Sequence, residues 1–136
     1  MRIDAIVFDC RDAAPLARFW AAALGWTVAP YGAAELRRLA AKGIAGPEED
    51  PSVLVEPDED DLPALFFTEV PESKVTKNRL HLDIVADEDL EVEVERLERL
   101  GASIHNWAEG DSGIWCVMRD PEGNEFCVLP SDDDVA

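Results

Sequence analysis

The first half of this chain can be laid over its second, and that self-similarity limits the fold more than any other feature. Residues 4–25 read as strand, helix and a closing Leu24-Gly25. Residues 80–101 read the same way and close on Leu100-Gly101, 76 residues later. At that offset Ala5 stands opposite His81 and Val7 opposite Asp83, while the two helices agree less closely in apolar register. Self-similarity at this scale predicts two copies of one supersecondary unit, each unable to bury its hydrophobic face alone. A site between the copies is the natural expectation.

The pattern extends through both halves. The β-branched and aromatic run Ile3 to Asp9 predicts a strand, Asp12 is an N-cap, and Leu16, Phe19, Trp20, Ala23 and Leu24 give a one-faced helix that stops at Gly25. Strands follow at Trp26 to Ala29, Ser52 to Glu56 and Leu65 to Val70, with a small helix over Ala33 to Lys42. The second half predicts strands at Leu80 to Ala86, Ser103 to Trp107, Ile114 to Met118 and Glu125 to Leu129. Its helix over Asp87 to Leu100 packs through Leu90, Val94, Leu97 and Leu100. Asp120-Pro-Glu-Gly-Asn124 is a hairpin turn with Pro at its first corner and a Gly able to take positive φ. A single domain, 1–136, is therefore expected: module one 1–70, a linker 71–79, module two 80–130 and an acidic tail 131–136.

Charge and composition exclude several function classes. Thirty acidic against 12 basic residues leave a net charge of −18, which argues against nucleic acid and anionic membrane as partners, because both are bound through basic patches. Hydrophobic content of 47% marks a globular rather than a disordered acidic chain. Cys10, Cys116 and Cys127 show no disulfide-like spacing and Met1-Arg-Ile-Asp4 lacks a signal-peptide core, so a cytoplasmic protein with reduced thiols is expected. No apolar run approaches the length of a membrane span.

Three segments carry a specific resemblance: Asp12 with Phe19-Trp20 and Leu24-Gly25, the strand around His81-Leu-Asp83, and Asp120-Pro-Glu-Gly-Asn124 leading into the last strand. Across nearly its whole length the chain resembles the vicinal oxygen chelate superfamily, in its glyoxalase-like and bleomycin-resistance-like branch. The resemblance implies an α+β fold of two β-α-β-β-β modules forming an eight-stranded, curled mixed sheet, a cup with helices outside and ligand inside. It also implies a homodimer, since two-module proteins of this kind commonly pair. Enzymes of the superfamily hold a divalent metal through the first, fourth, fifth and eighth strands. Carried over, those positions are Ala5, a fourth-strand residue among Phe66, Phe67 and Glu69, then His81 and Cys127. An oxygen-loving divalent site needs three or four converging His or carboxylate groups, and Ala5 offers none. No metal and no other cofactor is expected, and metal-dependent glyoxalase or dioxygenase activity is disfavoured.

Strand alternation then selects the cup-facing residues. With His81 inward, Asp83 and Val85 follow, and Ala5, Val7 and Asp9 form the matching set on the first strand. Cys127 brings Glu125 and Leu129. A three-residue loop over Pro121, Glu122 and Gly123 pairs Asp120 with Asn124 and Val117 with Cys127, which puts Trp115 in the cup. Ile104 is expected in the core, with His105 and Trp107 on the cup side. The site residues are thus His81, Asp83, Asp9, Trp107, Trp115, Cys127 and Glu125. They suit a small organic ligand with an apolar or aromatic body and a few hydrogen-bonding groups. Each also has a structural role open to it. His81 fits an internal pair with Asp83, Asp9 and Asp83 fit partners at Arg79 and Arg119, and Cys127 fits a small buried hydrophobe. Lys74, Lys77 and Arg79 answer either an anionic ligand, local carboxylates or a second subunit. Three functions follow: a metal-free protein that sequesters or senses a small molecule, an acid–base enzyme (lyase, isomerase or hydrolase type) using His81, or an interaction module whose cup is filled by its own side chains.

Overall fold

Phe19 and Trp20 lie on the apolar stripe of α1 (Ala13–Leu24), and both are buried, as are Leu16, Ala13 and Ala17. In the computed structural model, which describes residues 1–133, the stripe seats against β1 (Ala5–Cys10), β3 (Ser52–Glu56) and β4 (Ala64–Glu69). Phe8 bridges the layers, its ring 5.3 Å from Trp20 and 5.0 Å from Phe67. Each large side chain buried here contributes about 1.5–3 kcal/mol. Gly25 ends the helix at φ 69°, a left-handed position that needs no Cβ. Asp12 occupies the N-cap position without a side-chain capping bond. Glu69 substitutes, its Oε1 accepting from the Ala13 amide at 3.3 Å. That use, and its pairing with buried Cys10, put Glu69 on the helix side of β4.

The chain divides into two compact units, Met1–Ser73 and a second beginning at Lys74. In the first, the sheet runs β1-β4-β3-β2, with β2 (Thr27–Val28) at one edge and β1 parallel to β4. In the second it runs β5-β8-β7-β6, with β5 (Asp83–Val85) parallel to β8 (Glu125–Leu129). The eight strands thus form two four-stranded mixed sheets of one topology, each with its helix, so the two copies expected from the repeat and the α+β fold implied by the resemblance both hold. The difference between the copies is an insertion. Between β2 and β3 stand α2 (Ala33–Ala41) and a short 3-10 turn (Pro47–Glu49), whereas β6 (Ser103–Gly110) and β7 (Gly113–Arg119) are joined by Asp111-Ser112 alone.

In the second unit α3 (Leu90–Leu100) buries Leu90, Val94 and Leu97 over Cys116, Met118, Phe126 and Val128. Leu100 is 38% exposed and does not complete the expected stripe. The helix begins later than Asp87 because Asp89 caps it, accepting from the amides of Glu91 and Val92 at 3.0 and 3.3 Å. The expected strand Leu80 to Ala86 shortens to Asp83–Val85, an edge strand paired on one side only. The hairpin turn forms as read: the Asp120 amide donates to the Asn124 carbonyl at 2.9 Å and Gly123 takes φ 86°. Asp120 is buried and its carboxylate accepts from the amides of Glu122 and Asn124 and from the Asn124 side chain. The expected acidic tail, 131–136, lies partly outside the described residues.

Candidate functional site

That turn fixes the register on which the site depends. Val117 pairs with Cys127, Arg119 with Glu125, and Asp83 with Cys127. Cross-strand partners share a face, so Asp83, Cys127 and Val117 form one row away from α3. The Leu82 carbonyl accepts from the Cys127 amide at 2.9 Å, which ties the residue beside His81 to β8. His81 Nδ1 lies 2.8 Å from Asp83 Oδ1, and one donor atom from each of His81, Asp83 and Cys127 falls within 4.8 Å of the others. An ionised carboxylate only accepts, so Nδ1 carries the proton and Nε2 is free to accept a hydrogen bond, take a proton or ligate a cation. Burial first, then the charge and hydrogen bond of Asp83, push the Cys127 thiol up, with Lys77 acting in the opposite direction. The thiol is therefore a hydrogen-bond donor at neutral pH, not a ready nucleophile.

Other sequence-selected residues fall in different places. Trp115 is half-buried on the Cys127 face, the outer edge of its indole against Gly110, where an added Cβ would come within 3.2 Å. Trp107 does not join it. A bulge at His105 slips the β6–β7 register so that Trp107 pairs with buried Cys116 and Trp115 with Ala108. Trp107 thus stands on the helix side of an edge strand, 44% exposed. Ile104, expected in the core, pairs with Met118 yet is 39% exposed, because β6 has a neighbour on one side only. Asp9 is exposed on the first unit's sheet beside Thr68. The suggested pairing of Asp83 with Arg79 or Arg119 is replaced by its bond to His81.

Glu125 is buried. Its Oε2 accepts from the Asn78 amide at 2.9 Å and faces Lys74 Nζ at 3.3 Å. Burial alone would raise its carboxyl, but the amides of Asn78 and Glu125 and the Lys74 ammonium more than offset that and hold it at about 2. Residues 74–78 thereby belong to the second unit and not to a free linker. Sequence reading missed Asp50, buried in the first unit, which accepts from the Tyr31 hydroxyl at 2.8 Å and the Ser52 amide at 3.0 Å. An acidic residue before Pro51 in a loop gives no signal of burial.

A family model described as a glyoxalase-like domain matches residues 5–129. The chain belongs to the glyoxalase-like domain family. Among curated proteins none matches it. Solved structures share the fold of this glyoxalase-like domain at low identity. A glyoxalase/bleomycin resistance protein/dioxygenase family enzyme from Burkholderia phytofirmans PsJN superposes with a TM-score of 0.68 at 14% identity, over 96% of this chain and 98% of that one. A possible glyoxalase from Bacillus cereus gives 0.62 at 14%, over 95% and 98%, and a lactoylglutathione lyase from Agrobacterium tumefaciens gives 0.58 at 14%, over 94% and 92%.

The glyoxalase-like register also settles the fourth-strand position. Phe66 pairs with Val7 in the first unit as Cys127 pairs with Asp83 in the second, so Phe66 is the counterpart of Cys127. The four-strand donor set implied by the superfamily is therefore Ala5, Phe66, His81 and Cys127. A methyl and a phenyl group supply no ligand, and that set does not fit a metal.

Proposed function

We propose that this glyoxalase-like domain binds a small organic molecule on the open face of its second sheet without metal, for sequestration or sensing, in a reducing cytoplasm and as a homodimer. The observation that carries the reading is the convergence of His81, Asp83 and Cys127 on one exposed face that also presents Trp115 and exposed Val85. An imidazole with a free Nε2 and a thiol donor give orientation, and the indole gives apolar contact worth about 0.5–1.5 kcal/mol beyond burial. None of the three cysteines is in a disulfide, which suits a reducing compartment.

A second reading has its own support. A thiolate, an imidazole and a carboxylate within 4.8 Å are three donors of the kind zinc takes, with a fourth position left for water or ligand. Loading would release the Cys127 proton. A thermal-shift screen of small organic molecules on the wild type, Trp115→Ala and His81→Ala, run with elemental analysis of unchelated protein, separates the two. A ligand at 100 times its dissociation constant adds about 2.7 kcal/mol. Metal-free binding predicts ligand-dependent stabilisation that both substitutions weaken and no stoichiometric zinc, nickel or iron. One equivalent of zinc lost in Cys127→Ser would establish the second reading instead.

A further inference from the structure

Beside the His81 cluster the second unit contains a cleft of about 420 Å³, lined among others by Lys74, Lys77, His105, Arg119, Glu122 and Glu125. A chain of net charge −18 has only 12 Lys and Arg residues and two His, yet three of the former and one of the latter meet here. Their carboxylate neighbours do not account for them. Glu125 is committed to Lys74 and the Asn78 amide, and although Arg119 is its cross-strand partner, no ion pair joins them. Lys77 Nζ donates to the Asn78 carbonyl at 3.4 Å, and among the described residues neither Lys77 nor Arg119 forms an ion pair within 4.0 Å. Two exposed cations thus face one cleft with no carboxylate bonded to either, Glu122 being the second acidic residue of its lining. Lys77 also acts on the Cys127 thiol, lowering it against burial and Asp83.

We propose that this cleft is an oxyanion site: Lys77 and Arg119 grip the carboxylate or phosphate of a small organic acid, His105 borders it, and the body of the molecule extends along β8 towards Cys127 and Trp115. This deepens the binding reading above by naming the ligand class, and the direction of the body rests on that reading. Arg119 presents a planar fork suited to two oxygens of one oxyanion, and Lys77 adds a point charge. Lys74, neutralised by Glu125, holds the segment that carries Lys77 in place.

The test uses the full chain, with amide NMR titrations of benzoate, benzyl alcohol and inorganic phosphate. Benzoate and phosphate are expected to shift the amides of Lys77, His105 and Arg119 saturably, benzyl alcohol is not, and Lys77→Gln and Arg119→Gln are each expected to weaken anion binding about tenfold. Arg119→Lys, which keeps the charge, should retain part of the affinity. The benzoate and phosphate arms tell a carboxylate from a phosphate, and saturable binding of either one supports the site. Absence of saturable shifts at these amides up to about 50 mM of both anions overturns the inference, as does equal binding by the charge-removing variants. Benzyl alcohol shifting Trp115 and Cys127 while neither anion touches the cleft leaves the open-face reading standing alone. Anions shifting the cleft while Trp115 and Cys127 stay still under benzoate leave the oxyanion site standing and remove the open-face reading.

Discussion

Cys127 stands directly opposite Asp83 across the parallel β5–β8 pair, and Asp83 in turn holds His81 Nδ1 at 2.8 Å. One carboxylate thus organises both a thiol and an imidazole, which makes Asp83 the residue whose removal separates their roles.

The Cys127 thiol gives the first prediction. Its pKa is raised by burial and by Asp83 and opposed by Lys77. Asp83→Asn removes the negative charge and should move the pH midpoint of iodoacetamide alkylation at Cys127 downward, whereas Lys77→Gln should move it upward. Mass spectrometry resolves Cys127 from the buried Cys10 and Cys116, the latter pushed by burial to about 11. An unchanged midpoint in Asp83→Asn would show that the two groups are not coupled.

Asp120 gives the second. Its buried carboxylate satisfies two backbone amides and the Asn124 side chain, and the turn it closes sets the register of β7 against β8. Asp120→Ala should cost on the order of 3 kcal/mol, read as a lower urea midpoint, because hydrogen bonds to a charged group are lost and buried donors are left unpaired. Asp120→Asn, which keeps an acceptor, should cost less. Equal stability of the alanine variant would mean that the register is fixed elsewhere.

How far the sequence disclosed this depends on how local the cause is. The topology of both modules and the Val117–Cys127 pairing were legible, because Gly25, Gly101 and the Asp120–Asn124 turn act within a few residues of themselves. The convergence of His81, Asp83 and Cys127 followed from that register and from alternation. Trp107 was misplaced because a one-residue bulge reverses every side chain beyond it, and nothing at His105 announces one. The roles of Glu69 and Glu125 were hidden for a different reason. Each is fixed by an amide distant in sequence, Ala13 for the first and Asn78 for the second, and neither partner marks itself in the sequence.

Glu125 gives the third prediction, with a defined pH window. Its folded pKa, about 2, lies below the ordinary 4.5, so its contribution to stability is complete above about 4.5 and is lost as pH falls towards 2. Glu125→Gln should reduce stability at neutral pH by roughly 1–3 kcal/mol and flatten the stability–pH curve across that window. It should also speed amide exchange at Asn78. Curves that remain parallel for the two proteins between pH 4.5 and 2 would contradict the ion pair with Lys74.

Tyr31 gives the last. It is the sole tyrosine of the chain, so its ionisation can be followed directly by tyrosinate absorbance. Burial first, then the hydrogen bond it donates to Asp50 and the charge of that carboxylate, raise it to about 12. A raised acid pKa means the folded chain holds the proton more tightly than the unfolded one. The stabilisation is therefore full below about 10 and disappears as pH rises to about 12. Tyr31→Phe leaves buried Asp50 accepting from the Ser52 amide at 3.0 Å but without the tyrosine hydroxyl, and should cost about 1–3 kcal/mol at neutral pH. Because Tyr31 and Asp50 flank the inserted α2 and the 3-10 turn, the loss should appear as faster amide exchange over residues 31–52 and leave the second unit's exchange unaltered. A tyrosinate midpoint near 10 in the folded wild type would show that the Tyr31–Asp50 bond does not form in solution.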